Sequence, residues 1–134
     1  MEDSEELIPG QGETVLVVED EDAVLEMTHS MLEGLGYAVM SAGSPEAALL
    51  KAEAYDGEIH LLVTDVIMPG MNGKDVAEKI RKNRPAMKLL FMSGYTANVI
   101  AHRSMLDPGV KFISKPFTVQ QLSAKVRKVL ERTV

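Results

Sequence analysis

The chain contains no cysteine and no tryptophan, and aromatic residues make up only 4% of its 134 positions. The absence of cysteine removes disulfides, thiolate catalysis and cysteine-ligated metal sites together. It suits a reducing compartment, with the cytoplasm as the default. No apolar run approaches the roughly eighteen residues that a membrane-spanning helix needs. The acidic opening Met1-Glu2-Asp3-Ser4-Glu5-Glu6 also lacks the basic flank of a signal peptide. No membrane contact is expected of this segment, and any anchor of a parent protein is expected outside it. Basic residues are outnumbered, 14 Lys and Arg against 20 Asp and Glu, for a formal net charge of −6. A polyanion such as DNA gains little from that surface, which argues against direct nucleic-acid binding. With so few aromatics, the nine Met are expected to fill gaps in a core rather than line a ligand groove.

The length suits one ordinary domain. Residues 1–13 combine acids with Pro9, Gly10 and Gly12 and show no sustained apolar period, so they read as a flexible acidic linker or tail, leaving 14–134 as the folded domain. Thr14 to Val18 is a β-branched run that stops at Glu19-Asp20-Glu21-Asp22, the pattern of a buried strand. Val24, Met27, Met31, Leu32 and Leu35 then recur at helical spacing and end among Gly34 and Gly36. Tyr37 to Ser41 is a weaker strand. Ser44 followed by Pro45 is an N-cap with proline at the first helical position, opening a helix to about Ala54. Leu61 to Thr64 is the third strand, and Val76, Ala77 and Ile80 mark the third helix, which Pro85 stops. Lys88 to Met92 is the fourth strand, Ala97 to Leu106 a poorly patterned helix, and Val110 to Ile113 the fifth strand after the turn Asp107-Pro108-Gly109. Thr118 and Gln121 form a capping box ahead of Val119, Leu122, Val126 and Val129, an amphipathic helix.

Strands alternating with helices imply right-handed crossovers and a parallel sheet between two helical layers. The expected fold is α/β: a flavodoxin-like (βα)5 three-layer sandwich whose five parallel strands run in the order 2-1-3-4-5.

Parallel strands release their following residues at one edge of the sheet. Glu19 and Asp20 follow the first strand, Asp65 the third, Ser93 the fourth, and Ser114 and Lys115 the fifth. Each has an ordinary reading: Glu19 and Asp20 as caps of the first helix, Asp65 and Ser93 as loop residues, Lys115 as a solvated cation. Among them, three carboxylates, the Ser93 hydroxyl and an ammonium are placed at a common edge. Carboxylates brought close repel, so such a group takes up a proton or binds a cation. An all-oxygen set free of Cys and His suits Mg²⁺, with Mn²⁺ as the alternative. Lys115 and Ser93 supply what is needed to stabilise a phosphoryl group while Asp65 attacks in line, giving an acyl phosphate.

In Val17-Val18-Glu19-Asp20-Glu21, Leu62-Val63-Thr64-Asp65-Val66-Ile67-Met68-Pro69-Gly70-Met71-Asn72-Gly73, Met92-Ser93-Gly94 and Lys115-Pro116-Phe117 the chain resembles a response-regulator receiver domain over about residues 14–132. The resemblance implies a phosphorelay module that catalyses only its own phosphorylation and dephosphorylation. Its partners would be a histidine kinase or its phosphorylated His domain, or a histidine phosphotransfer protein. Asp65 would be the phosphoacceptor, Asp20 a direct Mg²⁺ ligand, Glu19 a ligand through water, and the carbonyl of Ile67 the last protein ligand. Ser93 and Lys115 would hold the phosphoryl oxygens, and the Lys115-Pro116 bond would be cis. Ser93 and Phe112 would act as the switch for a surface formed by the 97–106 helix, the fifth strand and the last helix. Phe112, which lacks the hydroxyl of the frequent Tyr, also reads as plain core. Ile67 and Tyr95, bulky and not acidic, occupy positions that tune water access in receivers, so slow hydrolysis is expected.

The wording of Phe91-Met92-Ser93-Gly94-Tyr95-Thr96 and Asp107-Pro108-Gly109-Val110 is most similar to receivers at the C-terminus of hybrid sensor histidine kinases; a free-standing regulator would look much the same. Two rival functions stay open. One is a degenerate receiver used only for docking, which intact Asp20, Asp65, Ser93 and Lys115 oppose. The other is a Mg²⁺-dependent aspartyl-phosphate hydrolase, which would want an acid where Ile67 stands. A flavodoxin would need a phosphate loop where the acids 19–22 lie. His29, His60 and His102 read as surface residues without a role.

Overall fold

The β-branched run at the start pairs as expected, and its neighbours follow from it. In a computed structural model, which describes residues 7–94 and 111–131, the strands are β1 (Thr14–Val18), β2 (Ala38–Ala42), β3 (Leu61–Asp65), β4 (Lys88–Ser93) and β5 (Phe112–Ser114). The helices are α1 (Asp22–Gly34), α2 (Pro45–Ala54), α3 (Gly73–Arg81) and α4 (Val119–Glu131). The sheet runs β2-β1-β3-β4-β5 and every pairing is parallel. All five residues of β1 and of β3 are buried, because helices cover both faces of the sheet.

Alternation along the strands divides the core. Val15, Val17, Val63, Leu90 and Met92 face Leu32 and Leu35 from the first helix region and Leu122, Val126 and Val129 of α4. Leu16, Val18, Leu62 and Phe91 face Ala48 and Ala52 of α2 and Val76, Ala77 and Ile80 of α3. A fully buried leucine such as Leu122 contributes about 2 kcal/mol, so the apolar face of α4 secures that helix more than its propensity does. The caps at Ser44 and Thr118 match the sequence signals, and the structure adds one at Asn72. Ser44 Oγ accepts from Ala47 N at 3.1 Å and Asn72 Oδ1 from Asp75 N at 2.8 Å. Thr118 and Gln121 bond reciprocally at 2.8 and 3.0 Å.

Several elements differ from the expectation. β3 and β4 extend one residue further, so Asp65 and Ser93 end their strands instead of following them; the ladder carries on because Asp65 pairs with Met92 and Ser93 with Ser114. β5 covers Phe112–Ser114. The helix expected over 97–106, with His102, lies outside the described residues. Met27, counted in the apolar stripe of α1, is 36% exposed. Two histidines expected to be idle have partners: Nδ1 of His60 accepts the backbone N–H of Thr14 at 2.9 Å, and Nδ1 of His29 meets Ser41 Oγ at 2.5 Å. Arg84 donates to the carbonyls of Ala52, Tyr55 and Gly57, satisfying the open end of α2.

Residues 8–13, which composition sets outside the fold, bond to it. Gly10 N donates to Leu35 O at 2.5 Å and Gly12 N to Gly36 O at 3.0 Å. Gly36 has φ +101°, and a Cβ there would lie 3.1 Å from Gly10 O, so glycine is required both for the turn and for the approach. Among the described residues no helix is long and apolar enough to cross a membrane.

Candidate functional site

The carboxyl edge of the sheet collects the polar residues that end or follow β1, β3, β4 and β5. Glu19 leaves β1 with its N–H donating to Ala42 O at 3.1 Å, and its side chain is wholly buried. Its Oε2 accepts Glu21 N at 3.1 Å and its Oε1 accepts Lys115 Nζ at 3.0 Å. Lys115 also donates to Oδ2 of Asp65 at 3.2 Å. Asp65 is only 6% exposed, and its second oxygen, Oδ1, is buried with no hydrogen-bond partner among the described residues. Asp20, next to Glu19, is exposed. One carboxylate oxygen from each of Glu19, Asp20 and Asp65 lies within 4.8 Å of the other two.

Backbone geometry holds these groups in place. Lys115 N donates to Ser93 O at 2.7 Å, extending the β4–β5 ladder past Ser114, and the Lys115-Pro116 peptide bond is cis. Ser93 is buried, 3% exposed. Gly73, the first residue of α3, was not singled out by sequence reasoning. A Cβ there would fall 2.1 Å from the carbonyl oxygen of Asp65, so the start of α3 packs against the strand end that carries the carboxylate. Its sequence signal is its place at the end of the motif Leu62 to Gly73, directly after Asn72.

Burial pushes the carboxyls of Glu19 and Asp65 above their ordinary range; Lys115 pulls both down but does not outweigh it, and each is further raised by a neighbouring carboxylate. Burial alone would lower the ammonium of Lys115. Its hydrogen bond to Glu19 and the charges of Asp65 and Glu19 outweigh that and hold it above the usual range. Three ionised carboxylates beside one ammonium leave two uncompensated negative charges. With a buried oxygen that has no partner among the described residues, an exposed carboxylate opening to solvent and a donor set made only of oxygen, these residues fit a divalent hard cation such as Mg²⁺.

The structure therefore brings Glu19, Asp20, Asp65 and Lys115 together, with Ser93 joined through its backbone. Ile67 sits beyond the end of β3 and is 47% exposed. Phe112 lies on β5, half-buried, its ring 6.1 Å from that of Phe91 at 42°. Tyr95 lies outside the described residues. Beside Lys115 an apolar groove of about 390 Å³ is walled by Val24, Met27, Pro116 and Phe117, which accounts for the exposure of Met27. A larger depression of about 640 Å³ lies around Arg84 between α2 and α3 and lacks any comparable cluster among its lining residues.

Residues 15–127 match the family described as response regulator receiver domain. Sensor kinase CckA of Brucella abortus (strain 2308) is 40% identical over 119 residues, which is 89% of this chain and 13% of that protein. The probable transcriptional regulatory protein TcrX of Mycobacterium tuberculosis is 31% identical over 124 residues, 92% of this chain and 52% of its own length. This chain thus spans about half or less of the curated relatives it matches. Among solved structures, the receiver domain from hybrid histidine kinase CckA is 34% identical with a TM-score of 0.72, covering 88% of this chain and 99% of that one. A response regulator receiver protein from Sinorhizobium medicae WSM419 is 28% identical with a TM-score of 0.77, covering 90% and 95%. Fold, strand order and sequence agree over nearly the whole length, and the chain belongs to the response regulator receiver domain family of two-component signalling.

Proposed function

We propose that Asp65 is the phosphoacceptor of a phosphorelay, taking a phosphoryl group from a histidine kinase or a histidine phosphotransfer protein with Mg²⁺ as cofactor. The observation that carries this reading is the buried Oδ1 of Asp65, without a hydrogen-bond partner among the described residues, beside an Oδ2 already held by Lys115. One oxygen is oriented by a cation, while the other has no hydrogen-bond partner among the described residues and keeps its lone pairs for an incoming phosphorus. In the transfer, a carboxylate oxygen of Asp65 bonds to phosphorus as the phosphorus–nitrogen bond of the donor histidine breaks and its electron pair leaves with the imidazole. Lys115 neutralises charge on the phosphoryl oxygens, and the Ser93 hydroxyl donates to one of them. Asp20, Asp65 and the Ile67 carbonyl, with Glu19 through a water, would hold Mg²⁺, which supplies charge stabilisation to the phosphoryl group when bound.

The apolar groove beside Lys115 supports docking of the donor, since its opening borders the acidic edge. The contact between Phe112 and Phe91 supports a switch based on ring burial, with Ser93 as the group that senses the phosphoryl oxygens. The similarity to CckA supports origin in a hybrid sensor kinase with a cytoplasmic receiver. The test is phosphorylation by acetyl phosphate with Mg²⁺. One phosphoryl group labile to hydroxylamine should appear on the wild type and none on Asp65→Asn. An unmodified wild type would favour a receiver that serves only as a docking module.

A further inference from the structure

The segment preceding β1 is bonded to the helix that follows the site lysine. Ser123, in the second turn of α4 and 1% exposed, accepts the N–H of Ile8 at 2.9 Å and donates to the carbonyl of the same residue at 3.3 Å. One turn further, Arg127 donates to Glu13 Oε2 at 2.9 Å and to the Tyr37 hydroxyl at 3.3 Å. Gly10 lies flat on the Tyr37 ring, where a Cβ would come within 2.7 Å of the ring atoms. Residues 8–13 are therefore strapped across Tyr37 to α4 by hydrogen bonds from two of its turns.

The other end of α4 belongs to the site. Only three residues separate Lys115 from Val119, and of these Phe117 is buried in the same core cluster as Leu122 and Val126. We propose that residues 8–13 are a latch: by fixing α4 they fix the segment that carries Lys115, so the chain entering the receiver sets the reactivity of Asp65. This inference rests on the phosphoacceptor reading for its consequence and on the strap contacts for its mechanism. In a parent protein, tension or docking upstream of residue 8 would release the strap, loosen α4 and withdraw the ammonium from its two carboxylates. Linkage makes the effect reciprocal, so occupancy of the Asp65 site tightens the strap.

The whole chain tests it by backbone amide exchange. The latch variants are Ser123→Ala, which removes the hydroxyl held by Ile8, and Glu13→Gln, which weakens the hold on Arg127. The control is Ile80→Val on the opposite face of the sheet, compared at matched loss of global stability. The amides of Ile8, Gly10 and Gly12 report the strap, and the amide of Lys115, bonded to Ser93 O, reports the site. Exchange at Lys115 is expected to rise by about fivefold in the latch variants and to stay at the wild-type value in the control. An unchanged Lys115 amide in the latch variants, or an equal rise in the control, overturns the latch. Phosphorylation by acetyl phosphate, followed in parallel, should slow in the same variants. A wild type that takes no phosphoryl group defeats the phosphoacceptor reading, while the exchange data still decide whether the strap reaches the site.

Discussion

Lys115 Nζ lies 3.2 Å from Asp65 Oδ2, and the same nitrogen lies 3.0 Å from Glu19 Oε1. One cation thus serves two buried anions, so cutting the contact from its two ends should have opposite effects. Asp65→Asn removes one of the crowded carboxylates and leaves a matched Lys115–Glu19 pair. Without divalent metal this variant should be at least as stable as the wild type. Lys115→Met leaves two buried carboxylates facing each other and should cost on the order of 2–3 kcal/mol. Urea unfolding in EDTA measures both, and a loss of stability in Asp65→Asn would contradict this account of the cluster.

Mg²⁺ should stabilise the wild type, because binding to the folded state alone adds about 1.4 kcal/mol at ten times the dissociation constant. Asp20 is exposed, so Asp20→Asn should change stability in EDTA by under about 0.5 kcal/mol while weakening the response to Mg²⁺. Melting temperature against Mg²⁺ concentration checks it. Identical titrations for variant and wild type would remove Asp20 from the metal site.

Gly73→Ala places a methyl group where a carbonyl oxygen already lies, at 2.1 Å in the unrelaxed geometry. The oxygen is backbone in a central strand and cannot swing aside, so α3 or the end of β3 must shift. A destabilisation of about 3 kcal/mol is expected, together with slower phosphorylation as Asp65 moves. A variant as stable as the wild type would show that the start of α3 is not packed against Asp65 in solution.

The Glu13–Arg127 pair should make stability depend on pH. Burial would raise the Glu13 carboxyl, but its bonds to Arg127 and to the Gln11 N–H outweigh that and hold it below its ordinary value of 4.5. A depressed folded value means that the contribution is fully present above the unfolded value and is lost as pH falls through the folded one. The stability difference between wild type and Glu13→Gln, about 1 kcal/mol near pH 7, should shrink once pH drops below 4.5. A difference independent of pH would deny the carboxylate its role.

Ile67 is bulky and apolar and stands exposed just past the end of β3. It should hinder the water that hydrolyses an acyl phosphate on Asp65. Ile67→Asn should therefore shorten the phosphoryl lifetime by about threefold or more, read as loss of phosphorylated protein by mass spectrometry. Equal decay would leave Ile67 without that role.

The β-branched runs, the Ser44 cap and the Thr118–Gln121 box act within a few residues of themselves, and for that reason the alternation of strands and helices could be read directly from the chain. Once the strands are parallel, the placing of Glu19, Asp20, Asp65, Ser93 and Lys115 at one edge follows from where each strand stops. The rest is a matter of distances between residues far apart in sequence, which hydropathy does not encode. Only the packed structure leaves Asp65 Oδ1 without a partner among the described residues, divides Lys115 between two carboxylates, turns Met27 outward into a groove and brings Gly73 against the Asp65 carbonyl. Residues 8–13 show the boundary most clearly. Rich in glycine and with Glu13 as their one charge, they carry no apolar period, yet Ser123 and Arg127, more than a hundred residues away, supply the partners that hold them.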